Sequence, residues 1–288
     1  MAPPTPDALI IGCGYLGRRV ALGWQATGRR VAALTRRNAG TLLALGLDPI
    51  VGDVLDPDSL RQLPPAPVVL YAVGYDRGGG QTMRAAYVDG LGHVLDTLPP
   101  PRRFIYISST GVYGQADGGW VDESSPIDPV DESGRVVLDA ERLLRARLPD
   151  AVILRFAGIY GPDRLLRRQP ILKGEPLVGD PQKWLNLIHV TDGVNAVFAA
   201  ERQARSGETY LIADDEPVPR RDFYSLLAEL LKAPPAAFDP RPEPSAANRR
   251  VSNRKARAEL GWAPSFPTYR EGLPEAVRES TQAVATRD

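Results

Sequence analysis

The stretch Ala8-Leu9-Ile10-Ile11-Gly12-Cys13-Gly14-Tyr15-Leu16-Gly17 decides the fold. An apolar run breaks into glycines and then resumes with helical spacing, which reads as strand, tight turn and helix. In that arrangement Gly12 makes the turn, Gly14 lets a pyrophosphate approach the backbone, and Gly17 lets the helix sit close to the sheet. The helix N-terminus at Tyr15 and Leu16 then faces the anion. The G-x-G-x-x-G spacing alone also occurs in ordinary loops, so its context matters. Residues 9–11 precede it as a strand, and Leu16, Val20, Ala21 and Trp24 follow as one helix face that ends at Thr27-Gly28, before a second strand over 31–34.

The composition agrees with an α/β enzyme scaffold. A chain of 288 residues with 43% apolar and 24% charged side chains has room for one dinucleotide domain and a smaller lobe. The formal net charge of zero argues against a nucleic-acid partner, which requires a basic excess. The longest apolar stretches are strand-length, and the leader Met1-Ala2-Pro3-Pro4-Thr5-Pro6-Asp7 has neither a basic nor an apolar signal region, so no membrane association is expected. The single Cys13 excludes an intrachain disulfide and makes a reducing cytoplasm the simplest location. Lying inside the glycine turn, it reads as a small residue that fits there rather than a redox thiol. Two distant histidines and one cysteine argue against a metal site. The partner expected is a small-molecule substrate, and the chain is expected to be a monomer or homodimer.

Strand and helix patterns alternate through the first half, as in a doubly wound parallel sheet. About 20 residues beyond the glycine loop an NAD-specific protein carries an acid for the ribose hydroxyls. Here the second strand runs out as Thr35-Arg36-Arg37 and the next acid is Asp48. A hydroxyl followed by guanidinium groups suits a 2′-phosphate, so NADP is the expected cofactor and NAD the less favoured one; two solvated surface arginines are the plainer alternative. A short third strand ends in Gly52-Asp53-Val54, where Asp53 is placed to accept from the adenine amino group and Asp56 to cap a helix beginning at Pro57. The apolar run over 68–73 is a central strand whose end, Ala72-Val73-Gly74-Tyr75, should pass under the cofactor. Gly78-Gly79-Gly80 reads as a flexible loop and residues 83–98 as a helix, on which His93 packs rather than catalyses.

The segment Arg103-Phe104-Ile105-Tyr106-Ile107-Ser108-Ser109-Thr110-Gly111-Val112-Tyr113-Gly114 resembles the extended short-chain dehydrogenase/reductase family, the NAD(P)-dependent sugar-nucleotide epimerases and dehydratases. Further stretches resemble it in the expected order: Tyr87-Val88-Asp89-Gly90, Ile153-Leu154-Arg155 with Ile159-Tyr160-Gly161-Pro162, Leu187-Ile188-His189-Val190-Thr191-Asp192, and Lys255-Ala256-Arg257-Ala258-Glu259-Leu260-Gly261-Trp262. The resemblance covers nearly the whole chain. It implies a Rossmann-type doubly wound sheet with a small C-terminal substrate lobe. The dinucleotide domain would take residues 1–160 with 184–204 returning to it, and the substrate lobe 161–183 and 205–288.

The resemblance fails at one place. The family follows this strand with Tyr-x-x-x-Lys on a helix, commonly with a Glu four residues after the Lys. Here the matching segment is Ser133-Gly134-Arg135-Val136-Val137-Leu138-Asp139-Ala140-Glu141, and Glu141 sets the register. Ser133 then stands at the Tyr position and Val137 at the Lys position, one turn apart on one face. A phenol, with an ordinary pKa of about 10, exchanges protons at neutral pH only beside a cation that lowers it, and Val137 supplies none. Losing a general acid/base costs about 10²- to 10⁴-fold in rate. Ser109 matches the family's catalytic Ser/Thr, and its hydroxyl either binds a substrate oxygen or satisfies backbone at the strand end. Ser109, Tyr113 and Ser133 are therefore the catalytic candidates, with Tyr75, Tyr160, Asp131 and Glu132 as weaker ones.

In the second half, residues 151–154 read as a buried strand, and Arg164, Arg167 and Arg168 as either a diphosphate contact or a charged turn. His189 belongs to a motif that is structural in the family. Residues 209–212 read as a strand, 221–231 as an amphipathic helix and 234–244 as a stiff proline-rich connector. The chain is expected to be an oxidoreductase or epimerase with an altered proton-transfer group, or else a catalytically silent NADP(H)-binding sensor on the same scaffold.

Overall fold

The computed structural model describes residues 5–76, 78–241 and 247–285. Residues 1–4 of the leader and 242–244 of the proline-rich connector lie outside the described residues. The chain divides into two compact units, one of residues 1–112, 132–155 and 196–210, the other of residues 113–131, 156–195 and 211–288. The division based on sequence placed 113–131, 156–160 and 184–195 with the first domain and 205–210 with the lobe; by compactness the first three belong with the second unit and the last with the first.

The first unit alternates strand and helix as β1 (Ala8–Ile11), α1 (Tyr15–Ala26), β2 (Val31–Thr35), α2 (Ala39–Ala44), β3 (Asp48–Val51), α3 (Pro57–Leu60), β4 (Val68–Tyr71), α4 (Gly90–Thr97) and β5 (Arg103–Ser109). A two-residue strand, β6 (Trp120–Val121), precedes α5 (Glu132–Arg147) and β7 (Val152–Phe156). The sheet has seven strands in the order β12-β7-β5-β4-β1-β2-β3, where β12 is Thr209–Ile212. The pairs β1–β2, β1–β4, β2–β3 and β4–β5 are parallel, with Ile11 opposite both Leu34 and Tyr71. Chain order reverses between β1 and β4, so the crevice above their C-terminal ends is a topological switch point.

β1 and β4 are buried along their whole length, as continuous apolar strands covered on both faces must be. Leu9, Ile11, Leu34, Val69, Leu91 and Phe104 belong to one core, and each such side chain taken from water contributes about 1.5–3 kcal/mol. The face of α1 read from the sequence, Leu16, Val20, Ala21 and Trp24, is buried together with Gly17. Asp56 caps α3 by accepting from the N–H of Asp58 at 3.2 Å. The helix read over 83–98 is helical from Met83 to Thr97, but Ala85–Asp89 widen into a π-helical turn. A Cβ at Gly90 would lie 2.7 Å from Val54 Cγ2, so this helix runs close against the loop after β3. His93, half-buried on α4, donates from Nδ1 to the carbonyl of Val54 at 2.9 Å, a packing role.

The second unit contains short strand pairs: β6 with β15 (Arg250–Val251), β8 (Gly158–Tyr160) with β11 (Leu187–His189), β9 (Leu177–Val178) with β14 (Phe238–Asp239), and β10 (Trp184–Leu185) with β13 (Val218–Pro219). Part of the proline-rich connector is thus a strand. Tyr160, Ile171, Leu187, Phe223, Leu227 and Leu273 form the core of this unit. Among the described residues no helix is long and apolar enough to cross a membrane.

Candidate cofactor pocket and active site

The glycine turn after β1 has the geometry that its residues imply. Gly12 has φ +94°, and a Cβ there would come within 2.5 Å of the backbone nitrogen of Val73. Only glycine fits a left-handed turn pressed against the end of β4. A Cβ on Gly17 would lie 2.4 Å from the carbonyl oxygen of Gly12, so α1 packs backbone to backbone on the turn. Gly14 differs: nothing lies within 4 Å of its would-be Cβ. That open space lies at the N-terminus of α1, whose first N–H groups could receive a phosphate.

A cavity of about 510 Å³ opens at the C-terminal ends of β1 to β4, within the range of roughly 300–1,000 Å³ usual for ligand sites. It gathers Gly12, Cys13 and Gly14 from the turn with Thr35, Arg36 and Arg37 from the end of β2. Asp53 and Val54 come from the end of β3, and Ala72 and Val73 from the end of β4. Of the residues expected to hold the cofactor, Tyr15, Leu16 and Gly17 do not line the cavity. Leu16 and Gly17 are buried behind it, and the Tyr15 ring carries the guanidinium of Arg19 at 4.1 Å. Thr35 Oγ1 accepts from the N–H of Asn38 at 3.1 Å, which stabilises the turn that presents the two arginines. Asp53 Oδ1 accepts from the N–H of Leu55 at 3.0 Å, leaving Oδ2 toward the pocket side at 4.0 Å from Arg36 Nη1. Burial pushes the Cys13 thiol up to about 11, with Arg18 opposing, so it stays protonated at neutral pH and is no nucleophile.

Several lining residues were not singled out as cofactor ligands from sequence. Asn38, Asp76, Gly79, Gln81 and Ala86 all face this cavity, beside Tyr75, which the sequence placed under the cofactor. The signal that marks them is the Gly78-Gly79-Gly80 run directly after a central strand, because loops at strand C-termini beside a switch point carry ligands. The π-helical turn contributes Ala86 to the wall, and Tyr87 accepts from the backbone N–H of Tyr75 at 3.1 Å through its hydroxyl.

The proposed catalytic residues are spread over both units. Ser109 ends β5, half-buried, and its Oγ accepts from the N–H of Gly111 at 3.0 Å. Accepting that bond leaves its O–H as a donor for a substrate oxygen. Ser133 is exposed in the first turn of α5, whereas Val137, one turn later, is buried at 7% exposure. Glu141, the register marker, is also buried and serves structure: it takes Arg155 in a bidentate pair, with Ser108 Oγ as a third donor. Tyr113 belongs to the second unit and has no exposed surface.

In the second unit, His189 is buried between the rings of Tyr160 and Phe266, at 5.4 and 4.3 Å, in keeping with a structural role. Burial raises the Tyr160 phenol far above its ordinary range, with Asp214, Asp192 and Glu271 adding to the effect. Asp192 caps the turn before the helix Tyr269–Ala285 by accepting from the N–H groups of Ser265 and Phe266 at 2.6 and 3.0 Å. A second cavity, of about 850 Å³, is larger than the first and lined by Glu123, Asp215 and Arg257 among others. Several of its polar groups are engaged within the unit: Glu123 accepts from Leu211 N–H at 2.8 Å, and Asp215 binds Asn253 at 2.7 Å and Arg257 at 2.5 Å, while the carboxylate oxygens of Asp214, which also lines it, are buried without a hydrogen-bond partner among the described residues. The first cavity has the open space at Gly14 and is the functional candidate. No cluster of metal-binding side chains occurs among the described residues.

Residues 8–213 match the model of the NAD dependent epimerase/dehydratase family. Protein YeeZ of Escherichia coli K12 is 31% identical over 242 residues, covering 80% of this chain and 85% of its own. The structure of a conserved protein of unknown function from Silicibacter pomeroyi superposes with a TM-score of 0.75 at 29% identity, covering 97% of this chain and 99% of that one. The dTDP-glucose 4,6-dehydratase DesIV of Streptomyces venezuelae, with NAD and TYD bound, reaches a TM-score of 0.84 at 21% identity, covering 97% and 98% of the two chains. At that identity the likeness is one of fold.

Proposed function

The chain belongs to the NAD dependent epimerase/dehydratase family, and from that premise we propose that it binds NADP(H) in preference to NAD(H) and acts as an oxidoreductase or epimerase on a small hydroxyl or carbonyl substrate. Sugar nucleotides are the first substrate class to test. The observation that carries the cofactor reading is the composition of the pocket beside the phosphate cradle: Thr35, Arg36 and Arg37 line it where an acid would hold the ribose hydroxyls of NAD. A guanidinium matches a phosphate with two parallel donors. When bound, the dinucleotide supplies the hydride acceptor or donor. The chain's own residues bind it through the Gly12–Gly17 turn and hold the substrate oxygen by the Ser109 hydroxyl.

The test is fluorescence titration of the full chain with NADPH and NADH. Charge-assisted hydrogen bonds contribute about 1.5–3 kcal/mol, so NADPH should bind at least about tenfold more tightly, and Arg36→Ala should remove most of the difference. Gly14→Val fills the open cradle and should abolish both affinities while circular dichroism stays unchanged. Equal affinities that ignore Arg36→Ala overturn the reading.

A second reading has its own support. Val137 offers no cation and is buried, and Ser133 offers no phenol, so a catalytically silent NADP(H)-binding sensor also fits these residues.

A further inference from the structure

Arg36 faces two acids at the end of the cofactor pocket. Its Nη2 lies 3.4 Å from Asp76 Oδ2 and its Nη1 4.0 Å from Asp53 Oδ2. The two acids are held differently. Asp53 is tied into its own turn by the Leu55 N–H. Asp76 starts the glycine loop after β4, and that loop folds back on it: Oδ1 accepts from Gly78 N–H at 3.1 Å and its carbonyl accepts from Gly79 N–H at 3.0 Å. Gly80, at φ +74°, closes the loop in a conformation other residues resist. Asp76, Gly79 and Gln81 all line the cofactor pocket.

Arg36 thus lies within 4.0 Å of two carboxylates, Asp53 and Asp76. A phosphate dianion brought to Arg36 therefore meets a carboxylate already in place. Arg36 and Asp76 are 40% and 48% exposed, and an ion pair so screened by water is weak, whereas a guanidinium and a phosphate form the stronger, bidentate pair. The exchange favours phosphate, and the glycines give the loop room to yield.

We propose that Asp76 sets the strength of the pocket's preference for a 2′-phosphorylated adenosine: it competes with the 2′-phosphate for Arg36 and surrenders the guanidinium when that phosphate binds. The proposal rests on the NADP(H) reading above and adds to it a residue that works against the preference.

The experiment titrates the full chain with NADPH, NADH and the fragment 2′,5′-ADP, in the wild type, Asp76→Asn, Asp76→Ser, Arg36→Ala and the double variant Arg36→Ala, Asp76→Asn. Removing the carboxylate charge should tighten NADPH and 2′,5′-ADP by about three- to tenfold and change NADH by less than about twofold. Asp76→Ser keeps an acceptor for the Gly78 N–H and should behave like Asp76→Asn. In the Arg36→Ala background the gain should vanish. If the wild type prefers NADPH through Arg36 but Asp76→Asn and Asp76→Ser leave its affinity unchanged, the proposal is wrong while the cofactor reading stands. Equal tightening of NADH also overturns it, because loop opening and not charge competition would be at work. A wild type with no NADPH preference, indifferent to Arg36→Ala, removes the cofactor reading and the proposal together.

Discussion

Glu141 and Arg155 form a buried bidentate ion pair, Nε to Oε1 at 2.9 Å and Nη2 to Oε2 at 2.7 Å, which joins α5 to β7 inside the first unit. Ser108 Oγ on β5 adds a bond of 2.5 Å to Oε1, so three elements meet at one carboxylate. This triad fixes the rotation of α5, and with it which residues of Ser133-x-x-x-Val137 face outward.

Breaking such a pair is costly because the remaining charge stays buried without its partner. Glu141→Ala should lose about 3–5 kcal/mol of stability in urea unfolding. Replacing both partners together, Glu141→Met with Arg155→Leu, should recover much of that loss. A Glu141→Ala variant as stable as the wild type would show that the pair contributes nothing.

The altered catalytic helix gives a prediction on activity. If Ser133 and Val137 occupy the Tyr and Lys positions, the wild type should turn over typical substrates of the family slowly. The variant Ser133→Tyr, Val137→Lys places a phenol one turn from an ammonium, and up to about 10²- to 10⁴-fold in rate should return. Val137 is only 7% exposed, so the lysine will also cost stability, and circular dichroism must show a folded variant. The assay is NADPH oxidation with aldehydes, ketones and keto-sugar nucleotides. Fast wild-type turnover that Tyr75→Phe abolishes would place proton transfer at Tyr75; a folded but inactive double variant would favour the sensor reading.

Asp214 supplies a pH dependence. It is 2% exposed, and burial pushes its carboxyl well above the usual range, with Asp215, Glu216 and Asp192 adding to the rise and the Glu216 N–H opposing it. A carboxyl raised on folding binds its proton more tightly in the native state. Its stabilising contribution is therefore complete below the unfolded value of about 4 and is lost as pH climbs toward the folded value. Asp214→Asn should leave the melting temperature nearly unchanged at pH 4 and raise it at pH 7 to 8. A difference between variant and wild type that does not vary with pH would exclude a proton held at this site.

Much of the fold was legible because its signals are local. The α1 face, the Thr209–Ile212 strand and the Asp56 cap follow from spacing and from one side chain's reach to its own backbone. The site was legible in part. Glycines mark where backbone must turn or touch, so Gly12 and Gly17 declared their roles in the chain itself. Asp76 and Gln81 did not, because a glycine-rich loop has no periodicity and its path depends on the strand that launches it. The burial of Tyr113 was not legible either, because the motif that names it says nothing about its surroundings.

The sequence by itself determined that the chain winds strands and helices into a dinucleotide scaffold, that an acid is missing after β2, and that Ser133-x-x-x-Val137 precedes Glu141 where the family it resembles carries Tyr-x-x-x-Lys. Each of these is a matter of residue type at a given spacing. Only the tertiary structure decided that Arg36 faces Asp76 across the pocket, that Glu141 serves Arg155 and Ser108 rather than chemistry, and that Asp214 is enclosed away from water. These are relationships between residues 14 to 40 positions apart along the chain, the farthest being Arg36 and Asp76, or between a side chain and solvent. Their energies depend on distance and on water excluded, and neither exists until the sheet has brought the strand ends together.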